Sequence, residues 1–440
     1  MGALSVQGQD ILEGERGQRA REKSLECTRA NRDVGVVTGQ LLTAESATKT
    51  AIELSDENRT IAAISNARTS ACVHVSILQC ECEVTRVYLT MNLMESEAKG
   101  LTVVNDMAVS VRESCEFIAN SAKDVKINSS KVDSVADLIL EAHKQGKISL
   151  SNFSKCEVHP KSNDSLGIDW IFTVDTLNFC FWNPRAAHWE VTWNNKKYSG
   201  YYALCAAIWR SIEEGVDLRD PKVYSKLSLS QLKHIFRCDE GSGELLLVEE
   251  RLECLHEVGK ILLDKYEGTF KSCVQKSQNS AQKLLDLVVS EFGCYQDEAV
   301  FKGNKVSFYK RAQILVADIW LWCKDEGMGH FPDIDSITMF ADYRVPQVLV
   351  HFGVLEYSPE LYETLKKDTI LESKCDIEIE IRGCSIEAVE QISRAVRSKV
   401  GGSTIKLNSI LIDNFLWDYR RAHAKELEYI PYHKVISIFY

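Results

Sequence analysis

From Met1 to Asp106 the chain contains no phenylalanine, tryptophan or proline, and Tyr88 is its sole aromatic residue. Large apolar side chains offset the conformational entropy lost on folding, so a stretch without them can bury little of itself. This segment is expected to be a helical or partly disordered extension. The packed core has to come from residues 107–440, where every Phe and Trp of the chain lies. Two parts are therefore expected: an aromatic-poor extension over 1–106 and a folded domain over 107–440.

Within the folded part, VRESCEFIANSAKDVKI and VDSVADLILEAHKQG carry apolar residues at helical spacing. WIFTVDTLNFCFW and HWEVTW, rich in aromatic and β-branched residues, read as adjacent strands. From Gly200 onward the strands stop and the pattern is helical, through YYALCAAIWRSIEEG, SAQKLLDLVVSEF, FYKRAQILVADIWLWC and LIDNFLWDYRRAHAKELE to the tail IPYHKVISIFY. The stretch EIEIRG alternates Ile377, Ile379 and Ile381 with acids and Arg382. It reads as a surface strand that passes through Gly383 into a helix. The expected fold class is mainly α with a small antiparallel β-sheet.

The segment FADYRVPQ gathers polar groups around one proline. Ahead of it, DIDSITMFA has the spacing of a buried helix face; after it, PQVLVHFG has proline and glycine where a short helix starts and stops. Asp342, Tyr343 and Arg344 would sit at a helix-to-helix joint, with Gln347 just beyond. An acid beside the N-terminus of the second helix would be held ionised.

With 45% apolar and 26% charged residues the composition is that of a soluble globular protein, and a formal net charge of -11 disfavours a nonspecific nucleic-acid binder. A local basic pocket for one phosphate is compatible with that surface. The 15 cysteines lack the paired spacing of a zinc site or disulfide framework, which points to free thiols in a reducing compartment. Histidines are few and badly spaced, and no metal or other cofactor is expected. There is no signal-like apolar run and nothing near the ~20 apolar residues of a membrane span. A cytoplasmic protein, with no membrane partner, is expected.

Asp318 stands in the run ILVADIWLW with little polar company, and a lone buried carboxylate must be paired, protonated or used. Lys310 and Arg311 lie about two turns before it and could hold an anion at one end of a cleft. Glu380 and Arg382, nearest the expected turn, could reach a ligand. Asn178 and Phe179, with Phe181 and Trp182, could supply an amide and a stacking ring for a flat heterocycle. The last helix and the tail add Trp417, Arg420, Arg421, His423, His433 and Lys434. These groups suit hydrolysis of a small anionic heterocycle conjugate without naming one.

FYKRAQILVADIW, DIDSITMFADYRVPQ, EIEIRGCSIEAVE, DTLNFCFW, WDYRRAHAKELE and IPYHKVISIFY, all lying between about Val111 and Tyr440, resemble the queuosine salvage protein family. The resemblance implies an N-glycosylase/hydrolase of queuosine 5′-phosphate that releases queuine and ribose 5-phosphate, on a helical fold similar to the helix-hairpin-helix DNA glycosylases. For that reaction Asp342 suits the carboxylate beside the ribose, and buried Asp318 or Glu380 could donate to or accept from the guanine-like face of the base; Asp342 and Asp318 are the expected catalytic carboxylates. Acids at one end of the substrate and Lys310, Arg311, Arg344 or Lys434 at the other would match its charges. The expected partner is the small-molecule nucleotide, with no direct nucleic-acid contact. A non-catalytic tRNA-binding module on the same scaffold is the alternative, and the acidic balance argues against it.

Overall fold

The computed structural model describes residues 109–440, except 162, 163, 165, 185–187 and 402–406, together with five strands nearer the N-terminus. The chain forms two compact units, Met1–Asp106 and Met107–Tyr440. In the first, Val36–Thr38, His74–Ile77 and Val87–Thr90 pair in one antiparallel sheet, and Thr50–Leu54 pairs with Arg59–Ala63 in another. No helix appears among the described residues of this unit; the rest of the expectation for it falls outside them.

The second unit is mainly helical with small sheets. The helices that shape its site are α1 (Val111–Ser121), α2 (Gly167–Thr176), α3 (Tyr201–Glu213), α4 (Lys310–Trp322), α5 (Val345–His351), α6 (Asp376–Val400) and α7 (Ser409–Ala422). Helix α6 is the spine: α1, the helix Ser129–Lys144, α5 and α7 all pack against it. Starts follow local chemistry. Ser110 and Glu113 form a reciprocal capping box on α1, and Asn408 caps α7 by accepting from the Leu411 amide. Among the described residues no helix is long and apolar enough to cross a membrane. The eleven described cysteines are all free thiols, as their spacing suggests.

Four expectations about local structure are corrected. WIFTVDT is not a strand but most of α2, whose ten residues are all buried. A helix enclosed on every side has no polar face, so its periodicity vanishes and its β-branched residues mimic a strand. HWEVTW does contribute one, Glu190–Trp193, paired antiparallel with Lys196–Ser199. EIEIRG is likewise helical, as the first turns of α6. Its alternation misleads because Glu378, Glu380 and Arg382 are buried along with Ile379 and Ile381. Gly383 continues that helix, and it is glycine because a Cβ there would lie 2.5 Å from Ile118 of α1.

DIDSITMFA forms only a 3₁₀ turn, Ile334–Ser336, and then continues without regular secondary structure. Side chains take over the backbone bonding a helix would have supplied: Gln313 Oε1 accepts the Thr338 amide at 2.8 Å and Asp413 Oδ1 accepts the Phe340 amide at 3.1 Å. Strands also continue beyond Gly200. Glu298–Phe301 and Asn304–Ser307 form a hairpin whose two turn residues, Lys302 and Gly303, have φ of 47° and 81°, the positive pair that suits the strand twist.

Candidate active site

Helix α4 is buried almost all round, yet Lys310, Ile314 and Asp318, each one turn after the last, line a single cavity of about 480 Å³. The opposing wall comes from α7, which presents Asp413, Trp417, Arg420 and Arg421, and from the irregular run carrying Phe340, Asp342, Tyr343 and Arg344. The loop after α2 adds Asn178, Phe179 and Phe181, and the start of α3 adds Tyr201 and Tyr202.

Asp342 occupies the entry to α5. Its Oδ1 accepts the backbone amides of Arg344 at 2.9 Å and Val345 at 2.7 Å. These donors and the nearby Lys310 ammonium favour the anion, while burial pushes the carboxyl above its ordinary value and is the larger effect. The expected ionised acid at a helix start is thus opposed by its enclosure. The Lys310 ammonium donates to the Asn178 carbonyl at 3.3 Å, and burial draws it down to about 8 against the pull of Asp342.

Asp318 has no side-chain hydrogen bond among the described residues. Burial, and then Asp175, push it well above the carboxylate range, with Lys310 opposing. Among the described residues the carboxylate of Asp175, on α2, accepts only from Asn178 Nδ2 at 3.4 Å. Its Oδ2 has no partner, and burial raises it to about 8. Asp413 accepts the Phe340 amide, and burial and then Asp342 raise it well above its ordinary value. So many enclosed carboxyls around one lysine cannot all ionise together, and the group holds protons as a set.

Aromatic rings form much of the rest of the wall. Tyr201 Oη lies 3.0 Å from His159 Nε2, whose ring burial keeps neutral by lowering it to about 4. The Arg421 guanidinium lies 4.3 Å from the Tyr202 ring centre and 4.9 Å from that of Trp417.

The cavity brings together Asp342, Asp318, Asn178, Phe179, Lys310, Tyr343 and Arg344 among the residues singled out in the sequence. Gln347 stands behind the wall, tying Arg344 to Arg420. Several others do not line it. Trp182 packs in the core with Nε1 donating to the Val435 carbonyl at 3.1 Å. Arg311 does not reach the cleft to hold an anion: it is buried on the Thr176 and Cys294 carbonyls, closing the C-terminal end of α2. Glu380 accepts the Lys123 and Asp124 amides at 3.0 and 2.7 Å. His433 is fully enclosed beside the Tyr440 ring, and Lys434 pairs with Asp368.

Arg382 is also displaced from the cavity, but it organises it. Its fork grips Asp297 at 2.9 and 2.6 Å, and Asp297 Oδ2 accepts the Lys310 amide, capping α4. Its Nε donates to the Ala341 carbonyl at 3.3 Å, beside Asp342. Its guanidinium is sandwiched between Phe308 and Tyr440, the latter a cavity residue. Sequence reasoning passed over Asp413, Asp175 and Tyr440. The first two carry the same signal that exposed Asp318, a single acid in an apolar run, in ILIDNFL and IFTVDTL.

Comparison with known proteins matches residues 158–440 to the queuosine salvage protein family. Two mammalian proteins named queuosine 5′-phosphate N-glycosylase/hydrolase are similar. The one from Bos taurus is 44% identical over 341 residues, 76% of this chain and 100% of its own. The one from Mus musculus is 43% identical over 336 residues, 76% of this chain and 99% of its own. A protein of the same name from Schizosaccharomyces pombe is 35% identical over 351 residues, 75% of this chain and 99% of its own. The sequence motifs, the enclosed carboxylate site and these matches agree: the chain belongs to the queuosine salvage protein family.

Proposed function

We propose that this protein hydrolyses the N-glycosidic bond of queuosine 5′-phosphate to queuine and ribose 5-phosphate. The observation that carries the reading is the cavity in which Asp342, Asp318 and Asp413 surround Lys310 opposite an aromatic wall. Breaking an N-glycosidic bond builds positive charge on the ribose, and an enclosed carboxylate beside the anomeric carbon stabilises it and orients water. Asp342 is assigned that role, since its two amide bonds fix its direction while leaving one carboxylate oxygen for substrate. Water adds to the anomeric carbon and gives up a proton to the carboxylate set, the electrons of the broken C–N bond leave with the base, and the base takes up a proton from that set.

Queuine is a 7-deazaguanine, so no ring nitrogen at position 7 can accept that proton. Asp318, held protonated by burial and by Asp175, is assigned to donate toward the base, and the wall of Phe179, Phe181 and Trp417 to hold its plane. We also read the helical scaffold as similar to helix-hairpin-helix DNA glycosylases, supported by the carboxylate at a turn that opens a helix. The reading includes a cytoplasmic location and a mononucleotide rather than a polynucleotide as substrate. Incubation of the purified protein with queuosine 5′-phosphate, with free queuine followed by mass spectrometry, tests it. Release from the mononucleotide and none from intact tRNA is expected; no release from the mononucleotide overturns it.

A further inference from the structure

We infer that Arg382 is a positioning residue for the reaction: it sets the separation of Lys310 and Asp342 from behind the cavity, without touching substrate. The inference rests on the function proposed above. Lys310 opens α4 and Asp342 lies on the irregular run that leads into α5. The Lys310 charge opposes the burial of Asp342 and favours its anion, the form assigned to the anomeric carbon. Their spacing therefore matters to the chemistry. Arg382 belongs to neither element; it is buried near the start of α6.

Five N–H donors in a rigid fork let one guanidinium hold two partners at once. Nη1 and Nη2 grip Asp297 at 2.9 and 2.6 Å, and Asp297 Oδ2 accepts the Lys310 amide at 3.1 Å. Nε donates to the Ala341 carbonyl at 3.3 Å. That carbonyl shares a peptide plane with the Asp342 amide, which itself donates to the Phe340 carbonyl at 2.6 Å. One planar group thus meets the backbone of the lysine through a carboxylate and the backbone of the aspartate directly. Gln313 and Asp413 hold the same run further upstream, at Thr338 and Phe340, so the peptide entering Asp342 falls to Arg382.

The fork is itself held in place. Phe308 and Tyr440 cover it, with ring centres 4.1 and 4.3 Å from the guanidinium carbon. The Phe308 amide, two residues before Lys310, donates to the Asp297 carbonyl at 3.0 Å. The Tyr440 carbonyl accepts the Cys180 amide at 3.1 Å, on the loop whose Asn178 carbonyl accepts the Lys310 ammonium. Glu378, one turn earlier on α6, stands 3.6 Å from Nη1, so the cation lies between two carboxylates. A buried ion pair adds little net stability over apolar side chains of the same volume, and what this one supplies is fixed geometry.

The test follows queuine release from queuosine 5′-phosphate, queuine binding by calorimetry and the crystal structure, for the full chain and for Arg382→Lys. That variant keeps the charge but has no fork, so it can meet Asp297 or the Ala341 carbonyl and not both. A misplacement of about 1 Å costs roughly a hundredfold, so kcat should fall roughly tenfold to a hundredfold while KM and queuine affinity stay within about threefold. Binding stoichiometry should be unchanged, whereas a merely structural role would lower it in step with the rate. The crystal structure should show the Lys310–Asp342 separation altered by about 0.5–1 Å. Asp297→Asn leaves an oxygen for the Lys310 amide but loses the fork; it gives the same pattern and replaces Arg382→Lys should that variant fail to fold. A kcat within about threefold of the wild type, a loss that tracks binding stoichiometry, or an unchanged Lys310–Asp342 separation overturns the assignment. If the wild-type protein releases no queuine, the proposed function fails and the crystal structures still decide the positioning.

Discussion

Replacing Asp342 by asparagine separates the charge of this carboxylate from its structural role. Asparagine and aspartate are nearly equivalent at the start of a helix. In Asp342→Asn the amide oxygen of the new side chain would keep the Arg344 and Val345 bonds now at 2.9 and 2.7 Å, so α5 starts as before. The anion is what disappears. Two opposite charges about 4 Å apart attract by about 4 kcal/mol at an effective dielectric near 20. At about 1.4 kcal/mol per decade of rate, that is roughly a thousandfold in turnover. Stability should move the other way. Burial raises the Asp342 carboxyl above its unfolded value, so the folded protein holds this proton more firmly than the unfolded chain does. Stability from this group is therefore present in acid and lost as pH rises through the folded value. The amide variant escapes that loss. Its melting temperature at neutral pH should equal or exceed the wild type's, with the gap closing below about pH 4, the unfolded carboxyl value. Queuine release by mass spectrometry and thermal melts at the two pH values read both effects. A rate loss under tenfold would refute the assigned charge role; a lower melting temperature confined to neutral pH would refute the burial argument.

Asp318→Asn keeps shape but removes the proton donor, and should cost roughly tenfold to a thousandfold in turnover together with weaker base binding, measured as the affinity for free queuine. Normal queuine affinity with unaltered rate would remove Asp318 from the mechanism. The rate should fall in acid as Asp342 takes up its proton and again in alkali as the Asp318 and Asp175 set, with Asp175 near 8, loses one. A profile flat across the mildly alkaline range contradicts this. Arg382→Leu strands Asp297 as a buried anion, loosens the cap on Lys310, and should cost about 3–5 kcal/mol by denaturant titration. A cost below about 1 kcal/mol would show that Arg382 is not the pin assigned here.

The distribution of aromatic residues, the long amphipathic helices and the carboxylates isolated in apolar runs are local properties, so the sequence alone determined them. A lone acid in an apolar run is conspicuous wherever the chain goes, and that reasoning found Asp318 and should have found Asp413 and Asp175. The N-terminal position of Asp342 on α5 was also legible, because Pro346 and Gly353 mark a helix without reference to anything distant. What tertiary structure decided was which polar residues face the cavity and which are consumed behind it. Arg311, Glu380 and Arg382 look free in one dimension, and their partners are Thr176, Lys123 and Asp297, all far away in the chain. The same long-range pairing made EIEIRG a helix. An alternating pattern signals a strand only when the polar residues must face water, and here hydrogen bonds and ion pairs satisfy Glu378, Glu380 and Arg382 inside the core.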